Sequence, residues 1–211
     1  MGNLAMSLRS VIVSQFERPH GLLGRLAGLI MVKRPSNIKR NNWTVDLLAL
    51  EADHEVLEIG CGPGLALKAC AKSVMTGQVI GIDHSDLMVR QAQRGLSLEI
   101  NKGFLEVRRA GLDELTRVLT GFDRVFSINV VQFFSDLDYA FKQIYACLNE
   151  NGMAATTFQP RTKSPTREQA MAMALKIQIA MSDAGFKDIR NHELSLKPAP
   201  AVCVTGLKRN R

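Results

Sequence analysis

The sequence predicts an α/β fold: a mostly parallel sheet carrying helices on both faces, three layers in all, and closed by an antiparallel hairpin. Three observations predict it. From Glu55 onward, short apolar runs alternate with stretches of helical periodicity. The runs are apolar throughout, as strands buried on two faces must be. Only Lys197–Ala201 separates the last two runs, and five residues cannot make a helical crossover. Those two runs therefore pair antiparallel or lie at different sheet edges.

Taken in order, three helical patterns come first, at about 3–16, 21–32 and 37–51. In the second, Leu22, Leu23, Leu26, Leu29 and Ile30 recur at helical spacing, bracketed by Pro19 and Pro35. The strands are Val56–Ile59, Val79–Ile82, Phe104–Val107, Val125–Ile128 and Met153–Phe158. Helices are expected between them at about 65–75, 85–98, 113–119 and 136–148, with Ser85 and Ser135 as N-caps. Asn151-Gly152 reads as a turn before the fifth strand. After the polar link Gln159–Thr166, a long helix runs to Ala184 and stops at Gly185, a C-cap. The hairpin runs are Ile189–Leu196 and Val202–Leu207. We read residues 1–211 as one domain, with 1–51 a helical lid and 52–211 the core.

Composition narrows the class. Hydrophobic residues at 46% and charged ones at 22% suit a globular chain, so disorder is excluded. No apolar run approaches the roughly 20 residues of a membrane span. The net charge of +7 is concentrated at the ends. Before Asp46 the only acid is Glu17, against Arg9, Arg18, Arg25, Lys33, Arg34, Lys39 and Arg40, and the tail ends Lys208-Arg209-Asn210-Arg211. No aromatics interleave with these cations, so they read as solvation and mild steering, and a nucleic-acid partner is disfavoured.

Cys61, Cys70, Cys147 and Cys203 form no CxxC pair, which fits a reduced, cytoplasmic setting. His20, His54, His84 and His192 are scattered, so no metal site is expected. Met1-Gly2 lacks the Ser or Thr at position 6 that myristoylation wants, where Met6 stands. The Arg-rich start resembles a transit peptide but reads better as helices of the domain.

The chemistry lies in VLEIGCGPGLAL, residues 56–67. A buried strand runs into Gly60-Cys61-Gly62-Pro63-Gly64 and straight on into a helix. Glycines permit a tight turn and close ligand approach. The helix start adds N–H groups suited to a carboxylate or phosphate. A phosphate-binding P-loop fails, because Leu65-Ala66 follows Gly64 where Lys and Ser or Thr are required. A dinucleotide fingerprint fails at Leu65, its third glycine, and Pro63 removes one N–H from the cradle. Asp83 ends the second strand, 23 residues past Gly60, where a carboxylate can accept both hydroxyls of a ribose or cap the next helix.

The segments VLEIGCGPG, VIGIDHSDLMVRQA and FDRVFSINVVQFF resemble the Rossmann-like (class I) S-adenosylmethionine-dependent methyltransferases, over about residues 40–208. The resemblance implies seven strands, the last antiparallel, and S-adenosylmethionine as cofactor. It implies that Gly60, Cys61, Gly62 and Gly64 face the methionine part of that cofactor, that Glu58 orders the loop and that Asp83 holds the ribose. His84, Met88, Gly111, Leu112 and Asn129 complete the expected cofactor contacts. One departure stands out: the family often has an Asp for the adenine amine after the third strand, and here Arg109-Ala110-Gly111-Leu112 offers Gly111. The main chain of Leu112, or Asp113, is the expected substitute.

The resemblance also implies that the end of the fourth strand, Ser127 to Phe134, faces the acceptor. Asn129-Val130-Val131-Gln132 lacks the prolines of base-amine methyltransferases, and no Cys nucleophile lies near, so bases are disfavoured as acceptors. Asn129 and Gln132 either orient an acceptor or cap the strand end, and neither can serve as a base. His20 is the candidate proton acceptor if the N-terminal helices cover the pocket, and His192 is another. With Leu22, Leu23, Leu26, Leu29, Trp43 and Val45 near its mouth, the site suits a small apolar or amphipathic acceptor, unless these residues simply pack on the sheet. Met171, Met173 and Met181 read as core filler. Methylation of RNA or protein, a non-catalytic cofactor-binding module and, last, a nicotinamide dehydrogenase are the competing readings.

Overall fold

The computed structural model describes residues 34–115 and 119–209. Helix α1 spans Pro35–Leu47, followed by β1 (Glu55–Ile59), α2 (Leu65–Cys70), β2 (Gln78–Asp83), α3 (Asp86–Gly95), α4 (Ser97–Asn101) and β3 (Leu105–Arg109). Then come β4 (Phe122–Ile128), α5 (Leu137–Cys147), β5 (Leu148–Phe158), α6 (Arg167–Ala184), β6 (Lys187–Leu194) and β7 (Ala201–Leu207). The strands form one seven-stranded sheet in the order β3-β2-β1-β4-β5-β7-β6.

Neighbours from β3 to β5 pair parallel, whereas β7 pairs antiparallel with both β5 and β6. The predicted hairpin therefore exists, and its second strand folds back between β5 and β6. Chain order reverses between β1 and β4, so their carboxyl ends open the crevice where such sheets bind ligands.

The strands β1, β2 and β7 bury both faces, which is why they read as apolar runs, whereas the edge strand β6 is largely exposed. Leu57, Ile59, Ile80, Ile82 and Val125 pack with Phe141, Ile144, Ile177 and Met181 of α5 and α6. Val56, Val79, Phe126 and Ile128 pack on the other side with Val45, Leu48, Leu67, Val89 and Ala92. Trp43 also packs there, and Met171 and Met173 lie against the first core. Of the two readings of Trp43 and Val45, packing on the sheet is the one that holds. Gly81 seats α2: a Cβ there would lie 2.4 Å from Leu67 Cδ1.

Several boundaries differ from expectation. Helix α1 stops at Leu47, and Ala49 turns to φ +46°. Helix α2 ends at Cys70 instead of 75, and the pattern at 85–98 breaks around Leu96 into α3 and α4. The N-cap of α5 is Asp136, not Ser135, its carboxylate accepting from Tyr139 N at 3.0 Å. Strand β5 begins at Leu148, with Asn151 at φ +64° where its pairing with β4 shifts register. Ser85 and Gly185 do cap as expected; Gly185 sits at φ +104°, with Phe186 N donating to Met181 O at 3.1 Å.

The helices expected at 3–16 and 21–32, with His20 and the leucines 22, 23, 26 and 29, lie outside the described residues. Among those described, no helix is long and apolar enough to cross a membrane. All four cysteines are free and buried.

Candidate functional site

Three loops meet at the carboxyl edge of the sheet. The first follows β1, and Gly60, Gly62 and Gly64 take φ of +71°, +53° and +85°. Gly60 N and Cys61 N both donate to Ile82 O, at 2.8 and 2.9 Å, pinning the loop to β2. A Cβ on Gly60 would lie 2.4 Å from Val130 Cγ2, and one on Gly64 would lie 2.7 Å from Leu96 Cδ1. A Cβ on Gly62 would meet nothing within 4 Å. The loop is thus wedged at both ends and bare in the middle, where a ligand can reach the main chain. Helix α2 has only six residues, so a helix dipole contributes little here, and the N–H groups of Gly60, Cys61, Gly62 and Gly64 are engaged within the protein.

The second loop follows β2. Asp83 is 7% exposed. Its Oδ2 accepts from Gly62 N and its Oδ1 from Ser85 N, each at 2.9 Å. The exposed imidazole of His84 stands 3.7 Å away from Oδ1. Burial pushes the Asp83 carboxyl above the usual range, while the two N–H groups and His84 pull it back. Met88 is buried in the first turn of α3, its N–H on Ser85 Oγ, and it does not border the cavity described next.

The third loop follows β3 and is tied to Asp83 O by Ala110 N at 3.2 Å. His84, Arg109, Ala110, Gly111 and Glu114 line a cavity of about 310 Å³ there. The sequence pointed to His84 and Gly111 but missed Arg109, Ala110 and Glu114. Leu112–Glu114 forms a 3-10 turn where a helix over 113–119 was expected. Leu112 leans into the core. The Asp113 side chain and residues 116–118 lie outside the described part.

Beneath the first loop, Glu58 is 2% exposed, bonded by Leu67 N–H but with Oε2 unpartnered. Burial first, then the charge of Asp83, pushes its pKa well up and favours the neutral acid. The Cys61 thiol is likewise raised well up, chiefly by burial. It packs against the position of Gly81 inside the core, so only the main chain of Cys61 faces the loop's open side.

On the other flank, Asn129 follows β4 at φ +57°. Its Oδ1 accepts from Gln159 N at 2.9 Å and its Nδ2 donates to Gln159 O at 3.3 Å. Gln132, exposed, donates from Nε2 to Asn129 O at 2.7 Å. Both amides cap main chain, the second of the two readings open in the sequence. His192 sits on β6 at the far edge of the sheet, its Nε2 3.1 Å from Thr205 Oγ1, and takes no part in this site.

A family model described as a methyltransferase domain matches residues 56–152, from β1 through the start of β5. An uncharacterized methyltransferase of Bacillus subtilis, YdaC, is 29% identical over 183 residues, covering 87% of this chain and 98% of that protein. The fold matches an Aquifex aeolicus SAM-dependent methyltransferase with a TM-score of 0.67 at 18% identity, over 83% of this chain and 94% of that one. Residues 56–152 are a methyltransferase domain, and the chain shares its Rossmann-like fold with SAM-dependent methyltransferases. The same fold recurs in the magnesium protoporphyrin IX methyltransferase of Synechocystis with bound SAH, with a TM-score of 0.64 and 16% identity over 82% of this chain and 83% of that one. The bare Gly62 face, with Asp83 and the His84–Glu114 cavity in line beside it, fits a sulfonium nucleoside with an amino-acid end.

Proposed function

We propose that this methyltransferase acts on a small molecule, apolar or amphipathic, by in-line displacement at the cofactor's methyl. The observation that carries the cofactor half of this reading is Gly62, whose open face adjoins a buried carboxylate held on its own N–H. S-adenosylmethionine supplies an electrophilic methyl on a sulfonium.

The chain's residues bind and orient. The main chain of Gly60 to Gly64 would receive the amino-acid end, and Glu58, buried beneath it, keeps the loop in place. Asp83 accepts ribose hydroxyls on the lone pairs that Gly62 and Ser85 leave. The cavity lined by His84, Gly111 and Glu114 would hold the purine. Glu114, which lines that cavity with Gly111, would take the part of the family's missing acid. On the acceptor side Asn129 and Gln132 fix the end of β4. Positioning supplies much of the rate in such a displacement, so no base is required of these amides.

A small-molecule acceptor draws support from the magnesium protoporphyrin IX methyltransferase, which shares the fold. Methyl-labelled cofactor, given a small-molecule extract and total RNA in parallel, tests the class. Label is expected in the extract. Label in RNA alone overturns the acceptor assignment.

A further inference from the structure

A second polar cluster lies beyond the end of β5, on the opposite side of the glycine loop from the His84–Glu114 cavity. Its centre is Arg40 on α1, only 3% exposed. The guanidinium donates through Nη1 to Gln159 Oε1 and through Nη2 to Asn37 Oδ1 at 3.0 Å. Both acceptors are neutral amides, and Nε has no partner. Arg161 Nη2 reaches the same Asn37 oxygen at 3.2 Å.

The cluster is rigidly built. Gln159 Nε2 donates to Ala199 O at 2.8 Å, and Asn41 Nδ2 donates to Asn37 O at 2.7 Å. Thr44 Oγ1 donates to Arg40 O at 3.0 Å and meets Thr157 Oγ1 at 2.8 Å, stitching α1 to β5. The main chain of Gln159 is the partner of the Asn129 amide, so Arg40 stands two side chains from the end of β4.

Buried charges are ordinarily paired with opposite ones. Among the described residues no carboxylate pairs with Arg40. Burial, then the positive charges of Arg161 and Arg34, draws its pKa down to about 9. A planar guanidinium with an unused N–H, held beside further cations, is matched to an oxyanion.

We propose that Arg40, with Arg161 beside it, receives an anionic group of the acceptor, a carboxylate or a phosphate. The acceptor is then an amphipathic acid, its charged end fixed beyond β5 and its reacting atom facing the end of β4. This inference rests on the methyl-transfer reading. The cofactor's own carboxylate is a competing source of the same chemistry, and the test separates the two.

The full chain is titrated with acetate, inorganic phosphate and octanoate at constant ionic strength, with octanamide as the neutral control. Melting temperature is read with and without saturating S-adenosylhomocysteine, whose affinity is measured separately by calorimetry. For the wild type we expect a saturable rise with at least one anion, persisting with S-adenosylhomocysteine bound, and none with octanamide. In Arg40→Met the anion affinity should fall about tenfold or more, and Arg40→Lys should restore part of it. Calorimetric affinity for S-adenosylhomocysteine should change less than about threefold. An anion response equal in wild type and both variants overturns the inference, as does no response to any anion. So does a response abolished by S-adenosylhomocysteine together with a tenfold weaker cofactor in Arg40→Met, which assigns Arg40 to the cofactor. Should Arg40→Met not fold, Arg40→Lys and Arg161→Met carry the same comparison. Failure of the wild type to bind S-adenosylhomocysteine refutes the methyl-transfer reading, while the anion arm run without it still decides for or against the subsite.

Discussion

The carboxylate of Asp83 accepts the backbone N–H of Gly62 at 2.9 Å, across the gap between the ends of β2 and β1. Its other oxygen holds Ser85 N at the same distance, the entry to α3. One side chain thus shapes the glycine loop before any ligand arrives. A carboxylate has about four lone-pair sites, so two acceptances leave room for sugar hydroxyls.

The three loop glycines should fail in different ways. Gly60→Ala drives a methyl into Val130 and adds left-handed strain, so it should destabilise by about 2–4 kcal/mol. Val130→Ala should recover part of that loss. Gly62→Ala meets no protein atom and should cost only about 1–2 kcal/mol of conformational strain, yet weaken S-adenosylhomocysteine binding far more than Gly60→Ala paired with Val130→Ala. Urea unfolding and calorimetry check the pair. Equal binding losses in both variants would remove the special place given to Gly62.

Glu58 makes stability pH-dependent with a definite sign. Its folded-state pKa lies above the ordinary 4.5, so the native protein keeps a proton that the unfolded chain has released between the two values. The contribution is full below the unfolded pKa and is lost as pH rises toward the folded one. Glu58→Gln carries no such proton. Its stability relative to wild type should therefore climb as pH is raised from 4 to 8, as melting curves will read. A difference independent of pH would show that Glu58 is ionised in the native state.

Asn129 and Gln132 should separate into one structural and one dispensable residue. Asn129→Ala removes two hydrogen bonds to Gln159 and leaves alanine at φ +57°, a loss of about 2–4 kcal/mol. Gln132→Ala, on an exposed side chain, should stay within about 0.5 kcal/mol and keep methyl transfer within about threefold of wild type. A larger loss of kcat at unchanged stability would give Gln132 a direct role toward the acceptor.

Glu114→Gln should weaken S-adenosylhomocysteine severalfold, of the order of 1 kcal/mol for one hydrogen bond to a charged group. Binding of S-inosylhomocysteine, which lacks the adenine amine, should not distinguish variant from wild type. An equal loss with both ligands would mean that Glu114 acts on the cavity and not on the amine.

Much of the fold was legible because burial on two faces writes continuous apolar runs, and Val56–Ile59, Val79–Ile82 and Val125–Ile128 fall inside observed strands. The glycines and Asp83 were legible because tight turns and an acid at a strand end each need particular residue types. The insertion of β7 between β5 and β6 was not, since hairpin spacing fixes pairing but not position in the sheet. Ser135 and Asp136 are both good caps, and only tertiary placement chose between them. Glu114 escaped because a helix over 113–119 was expected, whereas a 3-10 turn brings it beside Gly111. Arg40 looked like one more surface cation in a basic stretch. Nothing local shows that Gln159, 119 residues away, would bury it.

Calorimetric titration of S-adenosylhomocysteine into wild type and Asp83→Ala tests the central claim most directly. We predict one saturable site in the wild type, at least about tenfold weaker or lost in the variant, with NADH silent toward both. No heat with folded wild type, or equal affinity in Asp83→Ala, would contradict a nucleoside site built on Gly62 and Asp83.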